Sequence, residues 1–270
     1  MSISGKGFET RKDLDLFNSL FAELSQIITE EKTLLDSQWK NPKHLAQGEL
    51  LPQIREQKQK LSGLKSRLID LSRNLIQKAM PIIDNLSENL GSRVRGEYCR
   101  GIPLRYYATP LGTGNSDARY SLEGIRSLYL AEWEQAVMFE RRLTGLKASP
   151  PHVHFWIEVK LNNILDLTSE RTLRESGIEA EKDLLLMEWE SIQDICKENA
   201  FTQLLGARVY ELGYEGISFW SVRHPETKNI VVFPDNLSAG SLVEVFDPTG
   251  EYSNNRISIE DNMKCLRRDK

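Results

Sequence analysis

Arg126-Ser-Leu-Tyr-Leu-Ala131, running on into Glu132-Trp-Glu-Gln-Ala-Val-Met-Phe-Glu-Arg-Arg-Leu-Thr-Gly145, changes its hydrophobic period part-way along. The first part reads as a short strand and the second as a helix, Glu132 to Gly145. On a 3.6-residue wheel Trp133, Ala136, Val137 and Leu143 form the apolar face, and Glu134, Gln135, Arg141 and Arg142 the polar one. Glu140 falls in the middle of the apolar face. A carboxylate there costs several kcal/mol unless it is paired or held for use. Glu140 is therefore either half of a structural ion pair or a working group.

The same irregular alternation of short strands and helices extends through the C-terminal two-thirds. Strand candidates are 154–161, 216–220, 230–233 and 241–246; helices are expected at 132–144, 179–197 and 201–212, the last closed by Gly213. Pro225 to Asn229 reads as a hairpin-type connection. Such alternation indicates an α+β fold rather than a doubly wound sheet. Neither a GxGxxG opening a helix after a strand nor a Walker lysine occurs, which excludes Rossmann and P-loop readings.

Residues 1–95 differ in kind. Phe17, Leu20, Phe21, Leu24, Ile27, Ile28, Leu34 and Leu35 recur at helical spacing, a break follows at Asn41-Pro42, and Pro52 opens a second helix. In it Ile54, Leu61, Leu64, Leu68, Leu71 and Leu75 form an a/d seam. Pro81 is expected to kink or end this helix, with a shorter one following to Gly91. The region reads as a helical hairpin or small bundle. Its apolar stripe could pack on the rest of the chain, pair two subunits or hold a partner protein; packing plus a homodimer is the favoured reading. The division expected is 1–95 helical and 96–270 carrying the chemistry.

Composition narrows the classes. The chain has 270 residues, 40% of them hydrophobic, and a net charge of −4. No apolar run approaches the length of a membrane span. The acidic balance argues against direct nucleic-acid binding. Met1-Ser-Ile-Ser-Gly-Lys-Gly lacks the apolar core of a secretory signal, and Cys99, Cys196 and Cys265 form no CxxC pair, so a reducing cytoplasm is expected and no zinc site. His152 and His154 alternate on a strand without a third metal ligand nearby. Ser221 and His224 lack a Gly-x-Ser-x-Gly elbow, which leaves a serine hydrolase unsupported.

Ahead of the strand–helix unit, Tyr98 to Ser121 interleaves Arg100, Arg105 and Arg119 with tyrosines and with Gly112-Thr-Gly114. Arginine forks bind phosphate bidentately, glycine backbone can approach an anion closely, and tyrosines offer faces for stacking. The set suits a ligand with a phosphate end and a ribose end; a solvated basic loop is the alternative.

At this point the chain resembles the RES family, named for an Arg, a Glu and a Ser and including bacterial toxins that destroy NAD. The resemblance rests on Arg100, Tyr107-Ala-Thr-Pro-Leu-Gly112, Ala118-Arg-Tyr-Ser121, Ser127-Leu-Tyr-Leu-Ala131, Gln135-Ala-Val-Met-Phe-Glu140, Val159 to Thr168, Leu212 to Ser221 and Asn229-Ile-Val-Val-Phe233, in that order, over residues 96 to 247. It implies an ADP-ribosyltransferase-like core. By position the catalytic Arg, Glu and Ser fall on Arg100, Glu140 and Ser221. NAD binding falls to Arg119, Tyr129, Tyr107 and Arg105, with Arg100 and Arg119 on the pyrophosphate and Tyr129 by the nicotinamide or ribose. Arg105 competes with Arg100 for the first-arginine role, and Ser221 could simply cap a turn. Asp117-Ala118 stands where the family has a double glycine, which points to a differently shaped ligand loop. NAD is implied as substrate rather than cofactor, with water, inorganic phosphate or a protein side chain as acceptor and no metal. The partner implied is an antitoxin with a helix-turn-helix domain. The other readings are an ADP-ribosyltransferase acting on a protein and a degenerate RES binding module.

Overall fold

The computed structural model describes residues 6–39, 50–134, 137, 151–252 and 255–259. By compactness the chain forms two units, Met1–Pro81 with Asp183–Phe201, and Ile82–Lys182 with Thr202–Lys270.

In the first unit, helices α1 (Lys6–Trp39) and α2 (Leu50–Asp84) run antiparallel, since Lys78 pairs with Asp13 at 2.6 Å and Lys60 with Glu23 at 3.2 Å. These exposed pairs fix register more than they stabilise. Stability comes from the apolar line Leu14, Phe17, Leu20, Leu24 and Ile27 on α1, all buried. Ile28, expected on the same stripe, is exposed. On α2 the buried line is Leu64, Leu68, Ser72, Leu75 and Ala79, while Leu61 and Leu71 are only half-buried. The expected heptad seam is thus replaced by the drift of a straight 3.6-residue helix.

Pro81 does not end α2, which runs to Asp84. The proline sits on the exposed side, as does Gln77, so water can reach the carbonyl that the missing N–H would have served. The expected short helix to Gly91 is not formed; strand β1 begins there. The single helix expected over 179–197 is also replaced, by a 3₁₀ segment Ile178–Leu186, one turn at Trp189–Ser191 and a π turn Ile192–Cys196 ending at left-handed Lys197. Its buried residues Leu184, Met187, Ile192 and Cys196 are spaced too irregularly for one 3.6 period.

The second unit is a seven-stranded mixed sheet in the order β1-β2-β5-β4-β3-β6-β7, with β1 also pairing β3. The strands are β1 (Gly91–Pro103), β2 (Leu128–Ala131), β3 (His152–Asp166), β4 (Gly216–Trp220), β5 (Lys228–Val232), β6 (Leu242–Val245) and β7 (Arg256–Ile257). The extra pairing closes β1, β2, β5, β4 and β3 into a ring. β3 and β4 are parallel; the other pairs are antiparallel. Inside lie Tyr98, Ile102, Leu128, Leu130, Phe155, Ile157, Val159, Ile230 and Val232, among others. Helix α3 (Glu170–Glu175), capped by Ser169, follows β3. Helix α4 (Phe201–Glu211) ends before Gly213, whose φ of 77° closes it as expected. The α+β class with N-terminal helices holds.

One edge of β3 serves two strands, β6 along Ile157–Lys160 and β4 along Ile164–Asp166. At the fork, Asn162 and Asn163 have no strand to bond. Glu215, fully buried just before β4, fills the gap: its Oε2 accepts from Asn162 N at 2.6 Å and Asn163 N at 3.3 Å. Its Oε1 accepts from Ser238 N at 2.8 Å, from Ser241 Oγ at 2.7 Å and from Ser238 Oγ. A buried carboxylate satisfied by five neutral donors is a structural clamp.

Candidate active site

β1 meets β2 at Cys99↔Ala131, while from Arg100 to Pro103 it stays paired with β3 (Arg100↔Phe155, Pro103↔His152). The two strands therefore splay beyond that point. The gap is a cavity of about 730 Å³, lined on one side by Arg100, Gly101, Ile102 and Pro103, on the other by Ser127 and Tyr129. The loop between them covers it with Tyr106, Thr109, Gly112, Thr113, Gly114, Ser116 and Ala118. This is the size of a small-ligand site. Its wall is rich in hydroxyl groups.

Each wall is anchored. The Arg100 guanidinium donates to Pro110 O at 2.6 Å and Gly112 O at 2.7 Å. Arg126 joins the far end of the loop, donating to Thr113 Oγ1 at 3.2 Å and pairing with Asp235 at 2.9 Å. Tyr129 lines the cavity while its hydroxyl accepts from Tyr120 N at 2.8 Å. Ala118 and Ser121 exchange backbone hydrogen bonds of 2.9 and 3.2 Å, so Arg119 and Tyr120 form the tip of a two-residue turn. Tyr120 is buried against Phe219, ring centroids 4.5 Å apart. Arg119, half-buried, is thereby fixed next to cavity-lining Ala118. Asp117, where the resemblance implies a glycine, accepts from Glu123 N at 2.9 Å and closes the same loop.

Arg105 and Tyr107 lie elsewhere. With Pro103, Leu104 and Pro151 they line a second, apolar cavity of about 670 Å³, and Arg105 stacks on Tyr106 at 4.7 Å. Arg100, not Arg105, faces the splayed strands. Ser221 is buried, and its Oγ accepts from His224 N at 3.0 Å while its own N–H donates to Thr227 O at 2.9 Å. It thus caps the 221–227 turn and is not among the described residues lining the Arg100 cavity.

Glu140 lies outside the described residues, as does most of the expected helix after β2. Its beginning is tethered twice. Glu132 exchanges hydrogen bonds with the Lys228 backbone, and the Glu134 carboxylate meets His154 Nδ1 at 2.6 Å. His154 therefore has a carboxylate partner. Trp133, expected on the apolar face, is 59% exposed. Gly101 makes close packing possible here: a Cβ on it would fall 2.4 Å from Val137 Cγ1 and 3.0 Å from the His154 ring.

Cys99, beside Arg100, is fully buried, and burial with nearby Glu134 pushes its thiol up to about 11. It stays protonated at neutral pH and is not a nucleophile. Burial, with Glu132 and Asp166, likewise pushes Tyr98 up to about 12. Tyr106, Thr109, Thr113 and Ser127 escaped the sequence reading; the Tyr98–Ser121 composition marked their neighbourhood, but only the splay of β1 from β2 selects them.

Fold and cavity together define an α+β domain with a pocket that opens between two diverging strands. The RES domain family matches residues 92–255, more than half of the chain, and the chain belongs to that family. No curated protein matches the sequence. Among solved structures, a chain of the M. tuberculosis MbcT–MbcA toxin–antitoxin complex is similar at 14% identity, over 70% of this chain and 96% of that one, with a TM-score of 0.41. No helix among the described residues is long and apolar enough to cross a membrane.

Proposed function

We propose that this chain cleaves the nicotinamide–ribose bond of NAD and so depletes it, as the toxin of a toxin–antitoxin pair. The observation that carries the reading is the hydroxyl-rich cavity between Arg100–Pro103 and Ser127–Tyr129, which lies within the RES-matched span. Nicotinamide leaves as a neutral ring while an oxocarbenium-like cation develops on the ribose. A carboxylate close to that cation or the 2′-hydroxyl stabilises it. Glu140 takes this role. Tyr129 flanks the ribose or nicotinamide, and Arg119, at the tip of its turn, meets the pyrophosphate. Ser221 acts through the 221–227 turn it caps.

Water as acceptor makes the enzyme a glycohydrolase and inorganic phosphate makes it a phosphorylase; degradation of free NAD ranks above modification of a protein. The setting proposed is the cytoplasm, with a neutralising antitoxin that carries a helix-turn-helix domain. NAD content after induction in bacteria tests the reading, wild type against Arg119→Ala. NAD should collapse with the wild type and hold with the variant; unchanged NAD beside soluble wild-type protein would refute it.

A further inference from the structure

We propose that Arg100 is a positioning residue: it builds the 104–114 wall of the cavity rather than gripping a ligand phosphate. Its side chain projects from β1 between core residues Tyr98 and Ile102, and its two terminal nitrogens hold the carbonyls of Pro110 and Gly112 at 2.6 and 2.7 Å. Those carbonyls belong to the 109–113 stretch, which presents Thr109, Gly112 and Thr113 to the cavity. The rest of the loop rests on local turns, Tyr107 N to Leu104 O, Thr109 N to Tyr106 O and Gly112 N to Thr109 O, on the Gly114↔Ser127 bridge, on Arg126 at Thr113 Oγ1, and on Leu111, whose side chain is buried in the core without fixing the direction of the backbone. None of those turns ties the middle of the loop to the sheet. The charged fork does, through hydrogen bonds stronger than neutral ones and in a geometry a single ammonium cannot copy.

This assignment rests on the NAD reading only for its ligand, and the two roles separate with Arg100→Lys. Lysine keeps the charge but loses the planar fork and with it the two-carbonyl hold, so the protection of the ligand-free loop, on which a phosphate grip has no bearing, tells the roles apart. Hydrogen exchange on the ligand-free full chain, followed at Tyr107, Thr109 and Gly112, should speed up about tenfold or more in both Arg100→Lys and Arg100→Ala, with β1–β3 amides unchanged. KM should rise by the same factor for NAD and for nicotinamide riboside, which has no phosphate, with kcat less affected. Wild-type protection of the loop in Arg100→Lys would overturn the proposal, as would a loss confined to NAD. Arg100→Lys carries the test if the alanine variant does not fold. The exchange measurement needs no substrate, so it decides this proposal even if NAD proves not to be the ligand.

Discussion

Glu215→Gln removes one charge and exchanges one acceptor for an NH₂ donor at the fork of β3. In the wild type one carboxylate oxygen serves two backbone N–H groups and the other serves one N–H and two hydroxyls. Placing the new NH₂ toward Asn162 and Asn163 opposes two N–H donors that cannot turn. Placing it toward Ser238 and Ser241 is less costly, because both hydroxyls can rotate to accept, but Ser238 N is then left facing a donor. One buried unsatisfied N–H costs about 1–3 kcal/mol, and weakening the remaining charge-assisted bonds adds about 1 kcal/mol. The expected loss is about 2–4 kcal/mol, a fall in Tm of about 4–16 °C for a unit of this size. Glu215→Ala strands all five donors and should cost more than the glutamine change. Urea denaturation with thermal melts measures both. A change under about 0.5 kcal/mol in Glu215→Gln, or an alanine variant no worse than it, would refute the clamp.

Gly101→Ala should cost about 1–3 kcal/mol through overpacking on Val137 and His154 and lower NAD turnover by displacing the segment that leads to Glu140; melts and kinetics on one preparation check both. Alkaline stability should fall once pH passes about 9. The buried thiol of Cys99 is raised to about 11 and Tyr98 to about 12, so each favours folding fully below its ordinary pKa and loses that contribution as pH rises toward the folded value; a stability profile flat from pH 8 to 11 would contradict this. Leu68→Glu places a charge on the fully buried line of α2, costing on the order of 2–4 kcal/mol, and should loosen the helical arm and with it the homodimer proposed for that arm. Light scattering tests it, and a monomeric wild type would remove the dimer.

Hydrophobic period made β2, β4, β5, α1 and α4 legible, because each has an apolar pattern of one period bounded by turn residues. β1 was not legible. Gly91, Gly96, Gly101, Pro103 and the charged Arg93, Arg95 and Glu97 erase the alternation, and the strand owes its existence to pairing with β3. Without β1 the splay that makes the cavity cannot be seen, so Tyr106, Thr109 and Ser127 stayed hidden, while Arg100 and Arg119 stand out in the arginine–tyrosine run and Tyr129 emerges through family resemblance. Among the described residues the fully buried carboxylate is Glu215, inside Tyr214-Glu-Gly216, where no helical period exists to expose the anomaly. Its donors, three backbone N–H groups and two serine hydroxyls, come from residues distant in sequence, which no local pattern encodes.

In the proposed reaction the cavity at the β1–β2 splay takes NAD and Glu140 drives loss of nicotinamide. The most direct measurement incubates the purified chain with NAD, with and without inorganic phosphate, and resolves the products for wild type and Glu140→Gln. Free nicotinamide is expected from the wild type, with ADP-ribose or its 1″-phosphate identifying the acceptor, and turnover lower by about 10²–10³ in the folded variant. Intact NAD with the wild type, or equal turnover by Glu140→Gln, would contradict it.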